Sequence, residues 1–599
     1  MMKMKIKYID GKRFIRGIKA GAKKVSDKQD HLNEINVFPV PDADTGSNMA
    51  STLKTVVEDM NEDSNESLDT SSRKVAESAL TGARGNSGVI LAQFFHGLAK
   101  GLEKRIRIST EQFGYAVQQA KKSAYEALNQ PKEGTILTVI RDWAENIYEN
   151  SKKTIDFQEL LHNGMEAAKK SLEKTKTKLE SLKKANIVDS GAQGFVYILE
   201  GITHFIKKGE IKELNKQVQV ESIKTVAHTD LTLEDIKFRF CTECLIEGPQ
   251  IDLKTLRRQI ERYGDSIVVA GSEHKARLHI HSNKPAEVFA IARKYGDLLQ
   301  QKADDMKKQY LASHNPHPVI ALVIDSACDL PQKFIDEQQI HVVPVRVSFG
   351  NSTYIDKITI TPEYFYDMLL TESHHPKTSQ PPPSEFRNLY QFLLSHYESI
   401  ISIHIPEAAS GTYQNAMAAA REFPEKKISI IDSRSLSIGF GFVAEKAAQL
   451  IKEGKDHDEI VREINTFKKR TQIFVSIPSL KYLMKSGRVS KAKGLVAKLL
   501  NIKPILHLDQ RGMPQIFSKS FSDMGAVKKV FKLTMDFVKD KKQVRFAVAH
   551  ANDMRKAEYL TGKLKEKFGD IPITVVQVSP VLGAHAGIGA AAIGVTWEE

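Results

Sequence analysis

Between about residues 10 and 208, apolar side chains recur at helical spacing. Amphipathic runs fall at about 12–28, 48–60, 71–81, 88–104, 112–129, 135–150, 157–184 and 192–208. Polar or Gly-bearing loops separate them and strand-like alternation is scarce, so the pattern predicts an all-α unit. Residues 209–233 are rich in Lys, Glu and Gln and read as a connector. A mixed pattern starts near Phe238. There FRFCTECLIEG and ARLHIHS alternate like strands, while KTLRRQIERYG and PAEVFAIARKYG have helical spacing. It ends near residue 310, and LASHNPHP follows as a short linker. From Val319 onward, short β-branched runs (VIALVID, HVVPVRVSF, SIISIHI, KISIID, RFAVAHA, ITVVQVS) alternate with helices. That alternation predicts an α/β region with a largely parallel sheet.

Composition narrows this picture. A chain of 599 residues has room for three or four domains, and 41% hydrophobic with 27% charged residues is ordinary for a globular protein. No run reaches the roughly 20 apolar residues that span a bilayer, and the Lys-rich N-terminus lacks the apolar stretch of a secretory signal. The expectation is a cytoplasmic protein without a transmembrane segment. Three cysteines, at 241, 244 and 328, are too few for a disulfide framework. The net charge of +14 is spread along the chain. Its densest run, from Lys169 to Lys184, shares a segment with the helical spacing of Met165, Leu172, Leu179 and Leu182, and so reads as a solvated helix face. Basic residues are not interleaved with aromatics, which argues against a specific nucleic-acid partner. Nucleotide phosphates or an anionic membrane surface remain open as partners for the excess charge.

The first candidate chemistry lies between Asn36 and Met49. Two prolines straighten the chain, and Asp42 and Asp44 follow directly before a helix begins. Magnesium takes oxygen ligands and bridges nucleotide phosphates, so two carboxylates on a curled loop suit it. Thr45, Gly46, Ser47 and Asn48 would present a helix N-terminus to an anion. An Asp N-cap after a Pro turn is the plain alternative. The second segment, Gly82-Ala83-Arg84-Gly85-Asn86-Ser87-Gly88, joins two helices and has the glycines that let backbone amides approach a phosphate. No GxxxxGK[ST] is present, so this is not a P-loop.

Together the motifs NVFPVPDADTGSNM and GARGNSGVILAQ, followed by Pro131-Lys-Glu-Gly134-Thr135 and Val188-Asp189-Ser-Gly191, resemble the L-type (DhaL) nucleotide-binding domain of the dihydroxyacetone kinase family. They resemble more closely its branch in bacterial fatty acid kinases. The resemblance covers about residues 8–208 and implies an antiparallel helical barrel with ATP at its open end. It implies that Asp42 and Asp44 hold magnesium, with Asn36 at the place of a further ligand. It also implies that Thr45 to Asn48, Gly82 to Gly88, Gly134, Thr135, Asp189 and Gly191 surround the nucleotide. Ala43 departs from the Gly usual between the two aspartates.

In the mixed segment, His279 and His281 stand at i and i+2 and share one face of a strand. With Cys241 on the neighbouring predicted strand they form a set suited to zinc. A His pair beside a buried thiol is the alternative. Cys244 would face the other way, which disfavours a redox CxxC. FCTE, YGDS and the HxH segment resemble the middle domain of fatty acid kinases, which implies a structural or assembly metal there.

Residues 319–595 resemble the DegV family of fatty-acid-binding proteins. The carriers are Val323-Ile-Asp325-Ser-Ala-Cys-Asp329, Thr378-Ser379-Gln-Pro, Ser410-Gly411-Thr412, Asp432-Ser433, Ser486-Gly-Arg488, Lys503-Pro504 and His585-Ala-Gly-Ile-Gly589. The family fold is two α/β lobes around an acyl chain. A carboxylate needs hydroxyl donors and a cation or imidazolium, and Thr378, Ser379, Ser410, Thr412, Arg488 and His585 would supply them, with Gly411 in the same fatty-acid-binding site.

The expected whole is therefore multidomain. Residues 1–210 form an ATP- and magnesium-binding helical domain, 234–312 a small α/β middle domain with a possible structural zinc, and 318–599 a two-lobed DegV-like domain. Its expected activity is a kinase with a carboxylate acceptor, making acyl phosphate from its own bound fatty acid. Asp42, Asp44, Arg488 and His585 would be the catalytic residues, a homodimer the assembly, and an acyl-phosphate-using acyltransferase the partner. The alternatives are a dihydroxyacetone-type small-molecule kinase and a non-catalytic lipid-binding or regulatory protein.

Overall fold

The computed structural model describes residues 5–36, 44–60, 67–128, 130–208, 233–314, 319–487 and 502–598. The chain divides into two compact units, Met1–Lys307 and Lys308–Glu599.

The first unit is helical up to Lys208, and several of its helix starts carry side-chain caps. Ser67 caps Leu68–Gly82, Ser109 and Gln112 form a reciprocal capping box on Thr110–Glu126, and Asp156 caps Phe157–Thr175. The apolar stripes meet in one core, where Phe195 packs edge-on against Phe94 and Trp143, and the three ring centroids lie 5.4–6.0 Å apart. The run predicted over 157–184 is two helices, Phe157–Thr175 and Glu180–Ala185, the second stopped by Asn186 at φ 53°. A further short helix, Gln29–Glu34, follows Gly11–Asp27. One small antiparallel ribbon pairs Ile9–Asp10 with Arg107–Ile108.

The middle segment forms a four-stranded antiparallel sheet in the order Gly264–Gly271, Lys275–Ser282, Phe240–Glu247, Asp297–Asp305. Helices Leu253–Ile260 and Pro285–Ala292 accompany it. This sheet packs on the helical part of the same unit. Val268 and Ala270 belong to the helical core, Gly271 N–H donates to Gln93, and Arg257 donates to the carbonyls of Glu126 and Ala127.

The second unit is α/β. One sheet is parallel throughout, in the order Lys427–Asp432, Ser399–His404, Ile320–Asp325, His341–Val343. A six-stranded sheet runs Pro514–Ser520, Lys503–Leu508, Thr471–Ser476, Ala591–Glu598, Lys542–His550, Thr574–Gln577. Only its last pair is parallel. The expectation of a largely parallel sheet thus holds for the first sheet and fails for the second. Strand–helix alternation gives a parallel pair where a helix links the strands, as in Lys542–His550 and Thr574–Gln577, but Lys503–Leu508 and Pro514–Ser520 are joined by a hairpin turn at Asp509, whose carboxylate accepts from the Arg511 and Met513 amides. Pro344 divides HVVPVRVSF into two strands, His341–Val343 and Arg346–Phe349. Arg346–Phe349 joins a small antiparallel sheet with Ser352–Ile355 and Lys377–Ser379.

Candidate functional site

In the first unit, four helix N-termini converge: Thr45–Asp59, Gly85–Gly101, Ile136–Ser151 and Ser190–Lys208. The contacts that show it involve positions where side chains are missing. A Cβ on Gly85 would lie 2.6 Å from Asn48 Nδ2, and one on Gly191 would lie 2.6 Å from Ser87 Oγ and 3.5 Å from Ile136 Cβ. Gly85 sits at φ +59°, a conformation that costs any other residue strain. Aligned N-termini put partial positive charge and amide donors at one end of the bundle, the physical basis of an anion site.

Asp44 stands at the N-cap of Thr45–Asp59, but its carboxylate does not cap the helix. It lies instead 3.9 Å from Lys302 Nζ. Asp42 and Ala43 lie outside the described residues. Asn36 is buried at the end of the short helix Gln29–Glu34. Gly46 packs against the Gln29 carbonyl. The Ser47 hydroxyl accepts from Asn33 and Gln29 and so faces that helix. Gly82 and Gly88 fit against Thr55 and Thr52, Ala83 is buried, and the Arg84 amide donates to Thr52. Asn86 Oδ1 is buried without a hydrogen-bond partner among the described residues. Thr135 caps Ile136–Ser151, and Gly134 N–H donates to Thr138. Asp189 accepts from the Ala192 amide at 2.8 Å. Burial pushes its carboxyl up to about 6, against the opposing bonds from the Ala192 and Ile136 amides.

Beside this end of the bundle lies the middle sheet. Cys241 pairs in register with His281, and Glu243 with His279. The metal-binding atoms of Cys241, His279 and His281 lie within 4.8 Å of one another. His279 turns Nδ1 to Glu243 Oε1 at 3.1 Å, while its buried Nε2 has no hydrogen-bond partner among the described residues. His281 Nδ1 lies 3.6 Å from Asp265. One thiol and two imidazoles, each ring backed by a carboxylate, fit zinc and its usual outer shell. Cys244 pairs instead opposite Leu278, and burial pushes its thiol up to about 12. Burial raises the Cys241 thiol too, and Glu243 adds to this. Sequence reasoning missed Glu243. Its signal was the i+2 spacing from Cys241, which puts both on one strand face.

In the second unit, Thr378 Oγ1 lies 3.0 Å from His585 Nε2, two residues more than 200 positions apart in sequence. Gln380 covers Gly411, Asn415 donates to the Pro381 carbonyl at 2.8 Å, and Ser410 and Thr412 share a hydrogen bond of 2.9 Å. The segment 378–381 therefore lies between His585 and the start of helix Thr412–Ala420. Ser379 pairs with Arg346 through the backbone ladder. Arg488 lies outside the described residues. His585 rides on Pro580–Ala586, whose start is held by Asp329, accepting from Ser579 N–H, and Asp356, accepting from Val581 N–H. Lys357 pairs with Asp329 at 2.9 Å. Burial pushes the Asp356 carboxyl up to about 7, with the Lys357 charge opposing. Tyr482 packs against Gly587, and the ring of His375 lies 5.6 Å from it. Asp329 and Gln380 lie within the motifs quoted above, whereas nothing local in the sequence marks Asp356 or Tyr482 as part of this cluster.

Residues 39–204 match the model of the DAK2 domain, 237–313 that of the FakA-like middle domain of fatty acid kinase, and 319–598 that of the DegV family of uncharacterised proteins. The chain thus joins a DhaL-like region and a fatty acid kinase-type middle region to a DegV region. Among particular relatives, it is 35% identical over 317 residues to protein YloV of Bacillus subtilis, covering 51% of this chain and 57% of that one. It is 34% identical over 312 residues to the uncharacterised protein SSP1546 of Staphylococcus saprophyticus, covering 51% and 56%. The chain spans about half the length of the curated relatives it matches. A crystal structure of DegV, a fatty acid binding protein from Bacillus subtilis, aligns at 31% identity over 47% of this chain and 100% of that one, with a TM-score of 0.44. No helix among the described residues is long and apolar enough to cross a membrane.

Proposed function

We propose that this chain is an ATP- and magnesium-dependent fatty acid kinase that carries its own acyl-binding domain, with working divisions at 1–210, 234–312 and 318–599. The carrying observation is the convergence of four helix N-termini beside Asp44, in a chain that also holds the Thr378–His585 pair. Thr45, Asn48, the Gly82–Gly88 loop and the Asp189–Gly191 turn would surround the phosphates of ATP. Asp42 and Asp44, with Asn36, would hold magnesium, which neutralises charge on the transferring phosphoryl group. Cys241, His279 and His281 would hold a structural zinc.

The resemblance of 319–595 to fatty-acid-binding proteins supplies the acceptor. Thr378, Ser379, Ser410, Thr412, Arg488 and His585 would hold its carboxylate, and Thr378 fixes the ring of His585 for that task. A carboxylate is already ionised at neutral pH, so one oxygen attacks the γ-phosphorus without a general base. The bond to the β–γ bridging oxygen breaks, and ADP leaves with the electron pair. The chain's work is orientation and charge screening. The protein would act as a cytoplasmic homodimer and pass acyl phosphate to an acyl-phosphate-using acyltransferase.

The test is transfer of labelled γ-phosphate from ATP to oleate or palmitate, with hydroxylamine trapping the acyl phosphate, in wild type, Asp42→Ala and His585→Ala. Product that requires both residues is expected. A protein that binds ATP and fatty acid yet forms no product with either lipid would sink the self-contained kinase.

A further inference from the structure

The middle sheet reaches the nucleotide-side loop through one carboxylate. Glu243 is buried, and its Oε1 accepts from two donors of different origin, the Gly85 amide at 2.6 Å and His279 Nδ1 at 3.1 Å. Oε2 faces Arg277, itself fully buried, at 3.4 Å. Gly85 N–H is the first amide of Gly85–Gly101, at the left-handed position described above.

We propose that Glu243 is a positioning residue that couples the Cys241–His279–His281 cluster to the nucleotide loop, so that metal and nucleotide each tighten the other's binding. A metal on His279 Nε2 needs the Nδ1 proton directed at an acceptor, and Glu243 is that acceptor. Fixing Glu243 fixes the Gly85 amide, so the cost of ordering the turn is met once for both ligands. This inference rests on the kinase reading and adds a link between its two sites.

The test measures affinity of the full chain for a non-hydrolysable ATP analogue with magnesium, zinc-loaded and after chelation, and zinc affinity with and without the analogue. Wild type should bind the analogue about 5- to 100-fold tighter when zinc-loaded, with the same factor appearing in zinc affinity. Glu243→Gln should bring both ratios near one. Because Glu243 also neutralises Arg277, the double variant Glu243→Gln/Arg277→Met removes the uncompensated buried charge, and it should lose the coupling while keeping a cooperative thermal unfolding transition. Equal affinities with and without zinc in wild type, or coupling that survives in a folded double variant, would overturn the link alone. No nucleotide binding by wild type in either state would overturn the kinase reading and the link with it.

Discussion

The nucleotide-side cluster of the first unit is made largely of backbone: four helix N-termini, and glycines at 85 and 191 where a Cβ would collide. The cluster around His585 in the second unit is made of side chains, with Thr378 on a short strand, Ser410 and Thr412 at the start of helix Thr412–Ala420, and a second helix tied down by Asp329 and Asp356. A backbone site binds charge through dipoles that no side-chain substitution removes, so its weak points are the carboxylates proposed to hold magnesium and the glycines. A side-chain site loses function in steps, one hydrogen bond at a time.

The largest effect that would test this contrast is Asp44→Ala. Phosphoryl transfer should fall by roughly a thousandfold or more, because the charge on the transferring group is no longer neutralised, while fatty-acid affinity stays within about twofold. Radiolabel transfer beside a fluorescent fatty-acid titration measures both, and a parallel loss of lipid binding would break the separation. Next comes Gly85→Ala. Strain at φ +59° and the clash with Asn48 should weaken nucleotide binding by about tenfold or more and cost roughly 1 kcal/mol or more of stability. Calorimetric titration with the ATP analogue checks the first, and unchanged affinity would show that the loop tolerates a Cβ.

In the side-chain site, His585→Ala should lower fatty-acid affinity by about tenfold, the worth of one hydrogen bond to a charged group, and Thr378→Val by less. Equal losses in both variants would mean that Thr378 touches the ligand itself rather than orienting His585.

The smallest expected effect is in pH. Asp356 is pushed up to about 7 from an ordinary 3.8, so the folded protein holds this proton more tightly than the unfolded chain does. Its contribution to stability is complete below about pH 4 and is lost as pH rises through about 7. Asp189, pushed up to about 6, should act likewise in the first unit over a lower window. Thermal unfolding of Asp356→Asn should decline less between pH 4 and 7 than that of wild type. Identical slopes would show that Asp356 is ionised in the folded state well below pH 7.

How much could be read beforehand differs between the two clusters in the same way. Asp44 to Asn48 and Gly82 to Gly88 are contiguous and punctuated by Gly, so the sequence alone marks them as loops opening onto helices. Their convergence with Asp189 and Gly191 is a matter of helix packing. The Cys241–His279–His281 set was legible because strand periodicity places i and i+2 on one face. Its link to the helical bundle was not, since nothing in FCTE says that Glu243 meets Gly85, 158 positions away. Strand direction in the six-stranded sheet was equally hidden.

The sequence by itself determined the helical, mixed and α/β character of the three regions, the carboxylates before Thr45 and the glycines of the loop. These depend on local sterics, periodicity and hydrogen bonding within a few residues. Only the tertiary structure decided that the middle sheet packs on the helical bundle through Glu243, that Thr378 meets His585, and that Asp356 is buried deeply enough to hold its proton. Those contacts join residues far apart in the chain, and their energies come from burial and juxtaposition, which no local pattern of side chains encodes.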